Sequence, residues 1–319
     1  MRRREFITFI GSATVWPVAV RAQESIRLGF VLPIVRQAPA VVAFFEELSF
    51  NGFVEGKNIT IVAGSFGLEQ DSAAERAAAV IKGAPDLIVA GGPLTSAPLR
   101  MQRRRFRSLR SQMTWSARAS RLRLRGRAGN TTGVTILAPE LDGKRQDLLI
   151  DAVPSARRMA ALADTHITTS RQLQALQDVM RQRGIELTPF VIARPEEIAS
   201  ASNDAKTAGA AAVNVLTSPI LYANRQAIIE RTAALRLPAM YRWPELAEEG
   251  GLMGYGPRIT QIFRQAARMV GKVLHGAKPG ELPVEQPTKF ELVINLQAAK
   301  AIGHEVPAGL VARADKIIE

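Results

Sequence analysis

The side chains best suited to holding a small polar ligand lie in two short turns, Gly91-Gly92-Pro93-Leu94-Thr95-Ser96 and Thr217-Ser218-Pro219. Each follows an apolar run of strand length and ends in hydroxyl-bearing residues. Such hydroxyls, with the backbone N–H groups beside them, suit a carboxylate or an amide. The same residue types are ordinary helix N-caps, so either turn alone reads as a plain strand-to-helix junction. Their matching place in two similar units is what raises the binding reading. A third cluster, Met240-Tyr241-Arg242-Trp243-Pro244 with Tyr255-Gly256 beyond it, gathers aromatics in a chain that has few, where a strand starting at Pro238 would end. Tyr241, Trp243 or Tyr255 would either stack on a planar ligand or pack a core or hinge.

Little in the chain suits covalent chemistry. It has no cysteine, and its three histidines, His166, His275 and His304, are scattered without metal-ligand spacing. Neither a Gly-x-Ser-x-Gly elbow nor a phosphate-binding P-loop is present. Gly91-Gly92 is only a fragment of a dinucleotide fingerprint, and its spacing is wrong. His275, beside Gly276 at the end of a helical pattern, reads as a C-terminal capping group rather than a base. His166 is the histidine nearest the expected ligand turns. No catalytic residue, metal or cofactor is expected.

The elements that must position these residues follow an alternating pattern. Strand-length runs at residues 26–32, 58–63 and 86–90 enclose helical patterns at 41–51 and 72–82. The order recurs with strands at 158–163, 186–192 and 211–216 and helices at 170–183 and 196–208. Gly52, Gly184 and Gly209 each sit just past a helical pattern, where a left-handed cap calls for glycine. Two strand-led units predict an α/β chain of two doubly wound parallel-sheet lobes joined by a hinge, with ligand bound beyond the carboxyl ends of the strands. The expected lobe one comprises residues 23–135 and about 252–283, and lobe two 136–251 and about 284–319.

Ahead of these units, Arg2, Arg3 and Arg4 precede a short apolar stretch from Phe6 to Val20 that ends in Val20-Arg21-Ala22. That is the pattern of a cleavable export signal over residues 1–22. Arg3-Arg4-Glu5-Phe6-Ile7 also resembles the twin-arginine form, with ordinary export as the alternative. Pro17 and Arg21 cut the apolar run short of membrane-spanning length. A periplasmic location is expected, with no membrane insertion after the signal is removed.

The formal net charge is +13, and a single stretch accounts for all but two of those charges. Between Leu99 and Ala128 there are eleven arginines and no Asp or Glu. Phe106 and Trp115 lie in the same stretch, so it could be read as a nucleic-acid arm or a solvated basic helix. A phosphate-binding arm has no evident use in an exported chain, and nucleic acid is not expected as a partner.

Several longer motifs carry a family resemblance: Phe53-Val54-Glu55-Gly56-Lys57-Asn58-Ile59, Gly129-Asn130-Thr131-Thr132-Gly133, Glu140-Leu141-Asp142-Gly143-Lys144-Arg145, and the run from Pro283 to Asn295. Together with the leader they resemble the ABC-transporter substrate-binding family related to tryptophan- and tyrosine-binding receptors. The resemblance implies a periplasmic-binding-protein-like fold of type I with three inter-lobe crossings. It implies a receptor, acting as a monomer, that closes on a small solute such as an amino acid and delivers it to a permease and an ATPase. It places Thr95 and Ser96 of lobe one and Asp164, Thr217 and Ser218 of lobe two at the cleft, with Asp164 facing a ligand ammonium or else capping the next helix. Tyr241, Trp243 and Tyr255 rest on the strand reading instead. A DNA-binding regulator with the same lobes would carry a helix-turn-helix where this chain has its leader.

Residues 99–128 depart from that family. Read one nucleotide earlier, and with suitable codons, Gln112-Met113-Thr114-Trp115-Ser116 gives Asp-Asp, then Leu, Met or Val, then Val. The same shift over Leu124 to Ala128 allows Ala-Arg-Pro-Gly-Gly just before Asn130. Both strings resemble the family at this place, so a compensated frameshift over about 99–128 is expected. An Arg-rich stretch is poorly suited to a buried parallel strand, and lobe one is expected to be weakened there.

Overall fold

In a computed structural model the described residues are 25–32, 34–66, 73–91, 111–115, 131–136 and 138–319. The leader, the Thr95–Ser96 turn and most of the Arg-rich stretch lie outside them, and with them the frameshift expectation.

The first unit opens with β1 (Ile26–Val31), whose last four residues are buried. Helix α1 (Pro39–Phe50) follows, with Pro39 in the first turn, where its missing N–H is no loss. Then come β2 (Ile59–Ile61), α2 (Ala73–Lys82) and β3 (Leu87–Gly91), the last buried throughout. β4 (Ser111–Trp115) and β5 (Thr131–Thr132) complete a sheet of order β2-β1-β3-β4-β5. Every pairing in it is parallel.

β4 lies within the Arg-rich stretch. The backbone of Ser111–Trp115 takes the fourth-strand place, in register with Leu87–Gly91 of β3. Strand pairing draws on backbone N–H and C=O groups alone. The stretch 111–115 has no Pro or Gly to break it, and Thr114 and Trp115 favour strands.

The second unit runs α3 (Ala138–Ala152), β6 (Arg158–Asp164), α4 (Ser170–Gln182), β7 (Glu186–Ile192), α5 (Glu197–Thr207) and β8 (Val213–Val215). It continues with α6 (Pro219–Ala223), α7 (Arg225–Ala234), β9 (Ala239–Tyr241), α8 (Pro244–Glu248) and β10 (Met253–Gly256). Helix α9 (Ile259–Leu274) leads through a 3-10 turn at Pro279–Glu281 to β11 (Glu291–Asn295), α10 (Leu296–Ala301), α11 (Ala308–Val311) and β12 (Lys316–Ile318). The seven strands order as β12-β11-β10-β9-β8-β6-β7. Only the β10–β11 pairing is antiparallel. This is the expected α/β architecture, and Gly184 and Gly209 take φ of +70° and +79° after α4 and α5, as their cap positions require.

The return to the first sheet begins later than residue 252. β10 belongs to the second sheet, and α9 is the element that packs on α1, with Arg264 and Arg268 paired to Glu46 and Glu47. The chain therefore passes between the sheets before α3, between β10 and α9, and after the 3-10 turn. The first and third passages lie side by side: Val134 and Glu285 form a parallel bridge, and Thr135 N–H donates to the Glu285 carbonyl at 2.9 Å. Fully buried side chains such as Leu28, Phe30 and Phe44 fill the space between first sheet and helices. Each contributes about 1.5–3 kcal/mol through removal from water.

Candidate ligand-binding site

β6, β8, β9 and β10 are parallel neighbours, so their carboxyl ends form one row. Asp164 ends β6, Thr217 and Ser218 follow β8, Arg242 and Trp243 follow β9, and Tyr255 and Gly256 close β10. The structure thus gathers all the second-lobe residues singled out in the sequence along one edge. It does not give them the same task.

Asp164 is fully buried and fully engaged. Its Oδ1 accepts from the backbone N–H of His166 at 2.8 Å and meets His166 Nδ1 at 3.0 Å, while Oδ2 accepts from Ser218 Oγ at 2.7 Å. It ties the end of β6 to the end of β8, and it does not cap α4, whose N-cap is Thr169 in a capping box with Gln172. Ser218, also buried, donates to Asp164 and accepts from Leu221 N–H at 3.2 Å as the N-cap of α6. The capping reading of that turn is the one observed. His166, half exposed, is the polar group this pair offers to solvent.

Tyr241 is core, not cleft. The residue is 1 % exposed and its hydroxyl lies 2.9 Å from Thr232 Oγ1, with burial raising the phenol above its ordinary value. A strand residue alternates faces, and Tyr241 points to the helices while the next residue emerges at the strand end. Trp243 is buried with the guanidinium of Arg242 4.2 Å from its ring centroid. Tyr255 is half-buried, its ring 6.4 Å from that of Phe290 and inclined by 27°.

Beneath this row lies a polar cluster that the sequence reading passed over. Asp142 and Arg145, one turn apart on α3, form an ion pair of 2.7 Å with both side chains buried. Arg145 also donates from Nε to the Tyr255 carbonyl at 2.8 Å and from Nη2 to the Arg242 carbonyl at 3.2 Å. Thr217 Oγ1 donates to Asp142 Oδ1 at 3.4 Å. Burial pushes the Asp142 carboxyl up and the Arg145 guanidinium down, and their mutual attraction opposes both shifts. Asn214, in mid-β8, donates to the Asp142 carbonyl and to Gln146 Oε1, and its own Oδ1 is buried without a partner among the described residues. Charged residues in a helix ordinarily read as a solvated face. Only the Asp-x-x-Arg spacing within the quoted motif hinted that these two were inside.

Two glycines let the row close up. A Cβ on Gly254 would fall on the Trp243 carbonyl, and one on Gly256 on the Arg242 carbonyl, with Arg145 Nη2 3.2 Å away. Bare backbone in β10 is what allows the Arg242-Trp243 peptide to pack flat against it.

Among the described residues no group of three His, Asp or Glu could hold a metal ion, and no helix is long and apolar enough to cross a membrane. His275 caps α9 and its Nε2 lies 3.2 Å from the carbonyl of Asn51 at the end of α1.

Curated proteins give no match. Among solved structures, a conserved domain protein from Vibrio cholerae O1 biovar El Tor aligns at 20 % identity and a TM-score of 0.76, covering 92 % of this chain and 99 % of that one. An ABC domain from Streptococcus pneumoniae in complex with L-Trp aligns at 19 % and 0.74, over 92 % and 100 % of the two chains. A ligand-free, open substrate binding protein with adhesive properties from Clostridium difficile aligns at 17 % and 0.61, over 92 % and 99 %. At these identities the likeness is one of fold, the periplasmic-binding-protein-like type I fold. The family described as ABC transporter substrate binding protein matches residues 40–318, nearly the whole of the two lobes. The chain belongs to that ABC transporter substrate-binding family.

Proposed function

We propose that this protein is the periplasmic receptor of an ABC importer, capturing a small solute, an amino acid in the first instance, between its lobes and delivering it to a permease and its ATPase. It does so as a monomer, without cofactor or catalysis. The observation that carries the reading is the pair of sheets, parallel but for the β10–β11 pairing, joined by three short passages, with polar and aromatic residues gathered at the strand ends of the second. That is the arrangement a hinge-closing binding protein needs. The L-Trp held by the Streptococcus pneumoniae neighbour supports an amino acid as the first class to try. Thr217, Trp243 and Tyr255 supply the second-lobe wall, and Thr95 and Ser96 are the residues proposed for the first. The Arg-Arg leader supports export, by the twin-arginine route among others.

The test is a thermal-shift screen of the purified chain against amino acids, peptides and purine-like compounds, since a solute that binds only the native state raises its melting temperature. Flat curves throughout, with an intact leader retained in the cytoplasm, would sink the receptor reading.

One observation favours a second reading, a damaged copy of such a receptor. The eleven arginines and absent acids of residues 99–128 are foreign to a neutral α/β lobe. Re-reading the coding DNA decides it: no pair of compensating one-base changes restoring the family-like string means no frameshift.

A further inference from the structure

One cation in the strand-end row has no carboxylate partner among the described residues. Arg242 follows β9, half-buried, with its guanidinium over the Trp243 ring and in no hydrogen bond or ion pair among the described residues. The acid nearest to it in charge, Asp142, is already committed to Arg145 and Thr217. Asp142, Arg145 and Arg242 therefore leave the cluster one positive charge in excess. The peptide that carries Arg242 is fixed from below, by the Arg145 Nη2 bond to its carbonyl and by the bare backbone of Gly256.

The hydroxyls and the carboxylate at the ends of β6 and β8 are spent internally. Ser218 and Asp164 hold each other, and Thr217 donates to Asp142. A solute arriving here meets, in the Arg242 fork, a cationic group with several N–H donors that no carboxylate among the described residues engages. We propose that Arg242 anchors an anionic group of the solute, a carboxylate, so that the receptor takes anionic and zwitterionic solutes in preference to their amides. This rests on the receptor reading above. Two physical facts favour it. A guanidinium presents parallel donors that match a carboxylate, and stacking on an indole pre-orders the fork so that less freedom is lost on binding. Burial first, and the like charge of Arg145 second, hold the Arg242 guanidinium below its ordinary value, so an incoming anion relieves an unfavourable charge.

The experiment is isothermal titration of the full chain with L-amino acids, each beside its C-terminal amide and its decarboxylated amine. The expected result is that whichever amino acid binds loses about tenfold or more in affinity as the amide, in line with a charge-assisted bond. Arg242→Gln should bring acid and amide together, while Arg242→Lys keeps the preference and weakens both. Should Arg242→Gln fail to fold, the acid-to-amide ratio of the unaltered protein and of Arg242→Lys still decides. Equal affinity for acid and amide in the unaltered protein overturns the inference and leaves the receptor standing. No binding by any compound, with the chain empty in native mass spectrometry, overturns the receptor reading and this inference with it.

Discussion

Arg145 Nη1 donates to Asp142 Oδ1 at 2.7 Å with both side chains buried, one turn apart on α3, directly under the row of strand ends. A buried pair adds little net stability over an apolar pair of the same shape, yet removing one partner leaves a desolvated charge. Arg145→Met alone is therefore expected to destabilise by about 3–5 kcal/mol. The double variant Asp142→Leu with Arg145→Met should lose less than the sum of the single changes. Urea unfolding of the full cycle measures it, and strict additivity would mean that the two charges do not act as a pair.

Tyr241→Phe separates core from cleft. It removes the hydroxyl that lies 2.9 Å from Thr232 Oγ1 and leaves the ring in place. The expected loss is about 1 kcal/mol of stability, with solute affinity unchanged. A fall in affinity without a fall in stability would put the ring back in the binding wall.

Ser218 joins three elements, receiving the Leu221 N–H of α6 and giving its proton to Asp164 at the end of β6. Ser218→Ala loses the cap and leaves a buried carboxylate oxygen without its donor. About 1–3 kcal/mol of destabilisation is expected. Ser218→Thr, which keeps the hydroxyl, should recover part of that loss in thermal melts.

The strand and helix order was legible because its signals are local. Alternating apolar runs mark β1, β3, β6 and β8, and Gly184 and Gly209 mark helix ends by a backbone angle that other residues avoid. The site was legible only by place. Strand-end position predicted that Ser218 and Asp164 would lie at the edge of the sheet, but nothing in the sequence says that each uses up the other's hydrogen bonds. Tyr241 and Arg242 are adjacent, and whether the ring or the guanidinium faces the opening depends on where β9 stops. Asp142 and Arg145 stayed hidden because their burial is imposed by carbonyls from Tyr255 and Arg242, about a hundred residues away in sequence. β4 was missed for the opposite reason: its side-chain composition argued against a strand that backbone pairing alone supports.

The second passage between sheets is latched by charge. Arg258, just before α9, donates to both carboxylate oxygens of Glu248 at 3.1 and 3.0 Å, and Lys316 Nζ donates to the same group at 2.7 Å. The Arg258 bonds first, and the Lys316 bond after them, hold the Glu248 carboxyl below its ordinary value of 4.5. A carboxyl depressed in the folded state stabilises fully above its unfolded value, and that stabilisation is lost as pH falls through the folded value. Glu248→Gln should therefore destabilise the protein at neutral pH, by no more than about 1 kcal/mol for a group this near the surface, and the gap in melting temperature should close as pH falls below the ordinary carboxyl value of 4.5. A gap that is constant with pH would assign the effect to shape rather than charge.

The arginines of residues 99–128 bear on stability through the strand they flank. Ser111–Trp115 sits between β3 and β5 with its backbone paired on both sides. The central place in a parallel sheet covered by helices favours Val, Ile and Leu, whose burial contributes about 1.5–3 kcal/mol each. If the coding DNA supports the compensating shifts, expressing the chain with residues 99–128 in the re-read frame should raise its melting temperature by several degrees and remove its salt-dependent retention on an anionic resin. If the re-read chain melts no higher than the original, the basic stretch is compatible with the lobe as it stands and the damaged-copy reading fails.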